Sequence, residues 1–244
     1  MTALATSVLE RNLTALARTS PDAARAVLAA EPRHDLRFFD TPDGLPSAEE
    51  GFGPSVRALA SRRRPLEEAG RLAGSIDLTQ SAVFIVSGFG LGYHVEALAR
   101  RVGKTGIVVV FEPDATLLRS VFERVDCSPW LSTLNVAVVT TADDPSLISR
   151  IVEGAEGLVA MGVTLVEHPA SRARVGESAR VFHQRFVDIV RAVRMTVVTT
   201  MVQVRATLRN LTQNLDRYAL SPGIDELKDC CRGAPAIVVS AGPS

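Results

Sequence analysis

The sequence predicts an α/β fold: a Rossmann-like parallel sheet with helices on both faces, an N-terminal helical segment and a long C-terminal helix. Three observations lead there. Short apolar runs alternate with helix-period segments between residues 82 and 166. The runs, such as Ala82–Ser87 and Ile107–Phe111, are apolar almost throughout, as strands covered on both faces are. From Glu177 to Ser221 neither Gly nor Pro occurs, and Phe182, Phe186, Ile189, Val190, Val193, Val197 and Met201 recur at steps of three and four.

The elements follow in order. Leu9, Leu13, Leu16 and Ala17 place a helix within residues 3–18. Ser20-Pro21-Asp22 supplies a cap, a first-turn proline and a first-turn acid for a second helix to about Ala30. Leu36, Phe38 and Phe39 followed by Asp43-Gly44 predict a strand or hairpin within 34–53, and a polar helix is expected from about Pro54 to Ala73. Then come strand 82–87, helix 93–102, strand 107–111, helix 114–124, strand 134–139, helix 143–155 and strand 163–166. After the long helix, Ser221-Pro222-Gly223 is a stop, Ile224–Cys231 a short helix, and Ala236–Ser240 an apolar strand expected to lie outside the first sheet. The expected domains are 1–75, 76–175, 176–221 and 222–244. The strand and Gly-Pro-Ser turn at the end read as the opening of a further domain.

Composition narrows the function. At 244 residues, 46% hydrophobic and 22% charged, the chain is globular. Lys plus Arg equals Asp plus Glu at 27 each, which gives no overall pull toward nucleic acid or an anionic membrane. No apolar run reaches the length of a membrane span, no basic leader opens the chain, and a cytoplasmic location is expected. Cys127, Cys230 and Cys231 form neither a disulfide framework nor a metal spacing. The Asn-x-Thr triplets at Asn12 and Asn210 fall in helical patterns and are discounted as glycan acceptors.

One motif carries possible chemistry. Gly88-Phe89-Gly90-Leu91-Gly92-Tyr93-His94 joins the first strand of the alternating unit to its helix. Glycines there let backbone approach a ligand, and the helix start favours an anion. Glu112 ends the second strand, twenty residues after Gly92, where an acid binds ribose hydroxyls. The Gly-x-Gly-x-Gly spacing is closer to the first motif of class I S-adenosylmethionine methyltransferases than to the dinucleotide fingerprint. Gly88, Gly90, Gly92, Tyr93, His94 and Glu112 are therefore the candidate cofactor-binding residues. Two readings stay open: a ligand cradle, in which Gly90→Val abolishes binding without unfolding, or tight packing of helix on sheet. Tyr93 and His94 also read as ordinary helix-start residues, and Asp114 as a helix cap. Glu167-His168-Pro169 lies at the end of a strand, His183 reads as a packing residue, and Arg62–Arg64 as a solvated face. Nucleophile-elbow, Walker, zinc and Asp-x-Asp signatures are missing from the sequence.

Taken together, Gly88–His94, Phe111–Asp114, Asn210–Leu215 and Pro235–Ser244 resemble the motility accessory factor (Maf) family of flagellin glycosyltransferases. The resemblance covers the chain from about residue 80. It implies a Rossmann-like N-terminal domain followed by a central domain related to hydroxymethylpterin pyrophosphokinases. Ser240, Gly242, Pro243 and Ser244 would be the substrate-binding start of that central domain, where the family's catalysis lies. The implied donor is a nucleotide-activated nonulosonic acid, CMP-linked, and the implied acceptor is Ser or Thr of flagellin. A methyltransferase-like small-molecule-binding domain and a pterin pyrophosphokinase are the alternatives.

Overall fold

A computed structural model describes residues 6–51, 56–142 and 161–220, with 228, 232 and 233. The chain divides into two compact units, Met1–Val197 and Val198–Ser244. The expected helix at 143–155, the expected helix at 224–231 apart from Lys228, the strand at 236–240 and the four residues Ser240, Gly242, Pro243 and Ser244 lie outside the described residues.

In the first unit, helices α1 (Val8–Ala17) and α2 (Pro21–Ala29) lead into a hairpin of β1 (Leu36–Asp40) and β2 (Pro46–Glu50). Ser7 closes a capping box with Glu10 at the start of α1. The hairpin pairs Leu36 with Glu50 and Asp40 with Pro46, around a turn in which Gly44 has φ 73°. A short β3 (Arg57–Ala58) adds to β2, and helix α3 runs over Pro65–Gly74. This corrects the single helix expected from Pro54 to Ala73. Pro65 fits the first turn of a helix and not its interior, and Leu59 N–H donates to Ala48 O as the continuation of a strand.

Among the described residues the expected strands and helices of the alternating unit form in order, with one short unexpected helix at Ser128–Leu131: β4 (Val83–Ser87), α4 (Tyr93–Val102), β5 (Ile107–Phe111), α5 (Ala115–Arg124), α6 (Ser128–Leu131), β6 (Val136–Val139), β7 (Val163–Glu167) and α7 (Arg172–Leu220). The sheet is parallel, in the order β6-β5-β4-β7. The strand order therefore reverses between β4 and β7, and the crevice beyond their C-terminal ends is where doubly wound folds place ligands.

The period of two sorts the side chains. Phe84, Val86, Val108 and Val110 enter a core with α1, α2, α4, α5 and α6; Val83, Ile85, Val109 and Phe111 face Val175, Ala179, Phe182 and Phe186 of α7. The Phe111 and Phe182 rings stack at 4.5 Å. The N-terminal segment lies within the compact unit Met1–Val197. Buried Asn12 holds it there: its amide donates to Phe122 O and Val125 O and accepts from Cys127 N–H. Ser20, expected to cap α2, instead accepts from Val138 N–H at 2.7 Å on the sheet-edge strand β6.

Candidate functional site

The C-terminal rim of the sheet collects all six residues singled out in the glycine turn and at Glu112, and it occupies most of them with the chain's own atoms. Gly88 has φ 99°, and a Cβ there would fall inside the Ser171 side chain. Gly90 has φ 52°, and its Cβ would lie 2.8 Å from His168 Cε1. At Gly92 a Cβ would meet the Phe89 and Trp130 rings at 3.1 Å. Phe89 and Leu91, between the glycines, are fully buried. The turn that follows β7, His168 to Ser171, thus fills the space a ligand would take over this loop. Gly90→Val would strain the backbone and strike His168, contrary to the expectation that it leaves the fold intact.

Tyr93 and His94 are drawn into the same packing. Tyr93 Oη donates to Pro46 O at 2.8 Å, tying α4 to the hairpin, and burial pushes its pKa up to about 12. His94 Nε2 donates to Gly88 O at 3.0 Å. Its ring stacks on that of His168, with centroids 3.9 Å apart and planes within 7°. His168 Nδ1 lies 2.8 Å from Ser171 Oγ. Burial lowers His94 to about 4; burial, with the nearby His94 and Arg174, lowers His168 to about 2. Both rings are neutral at pH 7. The void beside them, lined by Leu59, Leu72, Leu91 and Tyr93, measures about 80 Å³, well short of the roughly 300–1,000 Å³ of ligand pockets.

Glu112 is fully buried at the rim. Oε2 accepts from Phe89 N–H at 3.0 Å and Oε1 from Asp114 N–H at 3.1 Å. Arg174 of α7 grips both oxygens, Nη2 to Oε2 at 2.8 Å and Nη1 to Oε1. A ribose diol would have to displace Arg174 to reach this carboxylate. The pair belongs to a wider network. Arg174 Nε makes no hydrogen bond but sits 3.5 Å from Glu50 Oε2. Arg33 pairs with Asp35, with Glu50 at 3.2 Å and with Asp114 at 2.9 Å. Asp114 also caps α5 by accepting from Leu117 N–H, as its position suggested. Two arginines thus bind the hairpin, the end of β5, the start of α5 and α7 into one cluster.

An open cleft lies on the other side of the crevice, against α7. Its volume is about 590 Å³, and Ser87, Glu167, Arg172, Gly176, His183 and Val187 are among its lining. Ser87 and Glu167 are register partners on adjacent strands, so their side chains leave the same face of the sheet. Ser87 Oγ lies 2.9 Å from His183 Nε2, and burial lowers the His183 pKa while Glu167 opposes the shift. A hydroxyl beside a neutral imidazole is a nucleophile–base pair in outline. The supporting parts are not in place. Glu167 is engaged with Arg172 at 3.6 Å, and Gly88 N–H and Phe89 N–H are spent on Phe111 O and Glu112. The two N–H groups of the turn that follow Ser87 directly are therefore not free to serve as oxyanion donors.

Sequence reasoning missed Ser87, His183, Arg174, Arg33 and Glu50. Ser87 continues the period-two face of Val83 and Ile85, and His183 adjoins the inward stripe of Ala179, Phe182 and Phe186, so that pair left a signal in the pattern. The ion cluster left none. Among the described residues no group of three or more His, Cys, Asp or Glu is arranged to hold a metal, and no helix is long and apolar enough to cross a membrane.

No family model and no curated protein sequence matches the chain. Among solved structures it is similar to the Maf glycosyltransferase from Magnetospirillum magneticum AMB-1, with 14% identity and a TM-score of 0.43 over 77% of this chain. The match spans 35% of that protein, about a third of its length. A second similarity is to MnmC2 from Aquifex aeolicus, with 15% identity and a TM-score of 0.25, covering 57% of each chain.

Proposed function

We propose that this chain is a support domain of a Maf-type protein glycosyltransferase, and that the described residues carry no transfer chemistry of their own. One observation carries the second half of this reading: the switch-point crevice is filled by the chain's own His168, Ser171 and Arg174, the last of which holds Glu112. The Maf assignment rests on the order of the sequence motifs. In this reading a CMP-linked nonulosonic acid is the donor and Ser or Thr of flagellin the acceptor. Ser240, Gly242, Pro243 and Ser244 open the part that binds substrate. Gly88, Gly90, Gly92, Tyr93, His94 and Glu112 serve packing.

A second reading, a small-molecule-binding domain of methyltransferase type, is favoured by the cleft beside Ser87 and His183, which falls within the size range of ligand pockets. Calorimetry separates the two. The folded chain is titrated with S-adenosylmethionine, CMP and a CMP-linked sugar, in parallel with Gly176→Leu. Gly176 is helical and a Cβ there meets nothing within 4 Å, so leucine fills the cleft without strain. The support reading predicts no saturable heat with any of them. Heat abolished by Gly176→Leu assigns the ligand to the cleft and favours the second reading. Heat unchanged by it places the ligand outside the cleft and overturns the support reading, which predicts none.

A further inference from the structure

Helix α7 carries a second apolar stripe within the unit Val198–Ser244. Met201, Val204, Leu208, Leu211, Leu215 and Tyr218 follow one another at steps of three, four, three, four and three. That is a strict alternation of a and d positions over nearly three heptads, the narrow seam of a coiled coil rather than the broader face of a helix on a sheet. All six are exposed, from 48% at Leu211 to 71% at Met201. Apolar side chains in such a row are covered in a working molecule.

We infer that this seam is a dimer interface, and that its occupant is the same helix of a second copy of the chain. The flanking e and g positions support a second copy over a foreign helix. Charges at those positions select partners in coiled coils. Here they hold Thr200, Thr207, Thr212, Asn214 and Ala219, with Arg205 the one charge. No like-charged pair arises when two copies align in either direction, and Arg205 alone gives little by which a different partner would be chosen. Thr212 Oγ1 and Asn214 Nδ2 already donate to carbonyls of their own helix, so the flanks ask nothing of a neighbour. At roughly 60–120 Å² for each fully buried side chain, and with these six only partly exposed, the seam residues of two copies cover roughly 400–900 Å², and the flanking e and g residues bring the total to about the 1,000 Å² of a specific interface.

Sedimentation equilibrium of the whole chain over a concentration series tests this. The chain is expected to be a dimer. Leu208→Glu combined with Leu211→Glu is expected to give a monomer with an unchanged far-ultraviolet circular dichroism spectrum. Arg209→Glu, adjacent to the seam but off it, is expected to leave the dimer intact. A parent chain that is monomeric throughout the series overturns the inference, and so does a dimer that survives both glutamates.

Discussion

Arg174→Met is expected to destabilise the folded chain by about 3–5 kcal/mol, the cost of leaving a buried charge without its partner. Glu112 is fully buried, and Arg174 is the cation that grips both of its oxygens. The two backbone N–H groups that also reach Glu112, from Phe89 and Asp114, remain and offset only part of the loss. Methionine keeps much of the volume of the arginine stem, so little of the effect is a cavity. Glu112→Gln alone is expected to cost less, because Arg174 keeps Glu50 and Asp114 within ion-pair range. The double variant is expected to be more stable than the sum of the single losses implies. Urea unfolding of the four proteins measures this; Arg174→Met within about 1 kcal/mol of the parent contradicts the role given to the pair.

The stacked histidines predict a strong acid sensitivity. In the unfolded chain both titrate near the ordinary value of about 6.5, whereas in the folded chain His94 is lowered to about 4 and His168 to about 2. As pH falls below 6.5 the unfolded state takes up protons that the folded state does not, so stability declines. Each ring contributes up to about 1.4 kcal/mol per pH unit until its folded pKa is reached. Between pH 7 and pH 5 the pair is expected to remove roughly 2–4 kcal/mol. Lowered by burial, His183 acts in the same direction. Asp35, lowered by its hydrogen bond to Arg33, loses its contribution only near and below the ordinary aspartate range, outside this window. His94→Gln is expected to reduce the slope by about half, glutamine being able to donate to Gly88 O but not to titrate. Urea midpoints that fall between the two pH values, with His94 and His168 ring proton shifts that do not titrate above pH 5, are the expected results; a stability independent of pH over this range contradicts them.

Much of the fold is legible in the sequence because the strands of a doubly covered sheet are marked locally. Val83–Ser87 and Ile107–Phe111 are apolar at nearly every position, and they pair in parallel, with Val83 opposite Ile107. The long helix shows in the spacing of Phe182, Phe186 and Val190. The N-terminal sheet is less legible. β2 reads Pro-Ser-Ala-Glu-Glu, which carries no strand signature. Its two acids are nearly buried because distant arginines meet them: Arg37 and Arg62 at Glu49, Arg33 and Arg174 at Glu50. The same holds at the rim. The glycine turn is visible as a motif, but whether its space is empty depends on His168 and Ser171, about eighty residues later. Periodicity reports which face a residue occupies. It does not report which side chain from another segment arrives there, and the difference between a ligand cradle and a packed turn lies in that arrival.

The central claim, that the glycine turn is closed by the chain itself, is tested most directly by a double-mutant cycle between Gly88 and Ser171. A methyl at position 88 would overlap Ser171, and φ 99° disfavours any side chain there. Gly88→Ala is therefore expected to cost roughly 2–4 kcal/mol, part steric overlap and part backbone strain. In a Ser171→Gly background the steric part disappears, and the cost of Gly88→Ala is expected to fall to about 1–2 kcal/mol. Urea unfolding of the four proteins gives the coupling. A Gly88→Ala chain as stable as its parent, or a cost that Ser171→Gly leaves unchanged, would mean that the space above the turn is open after all.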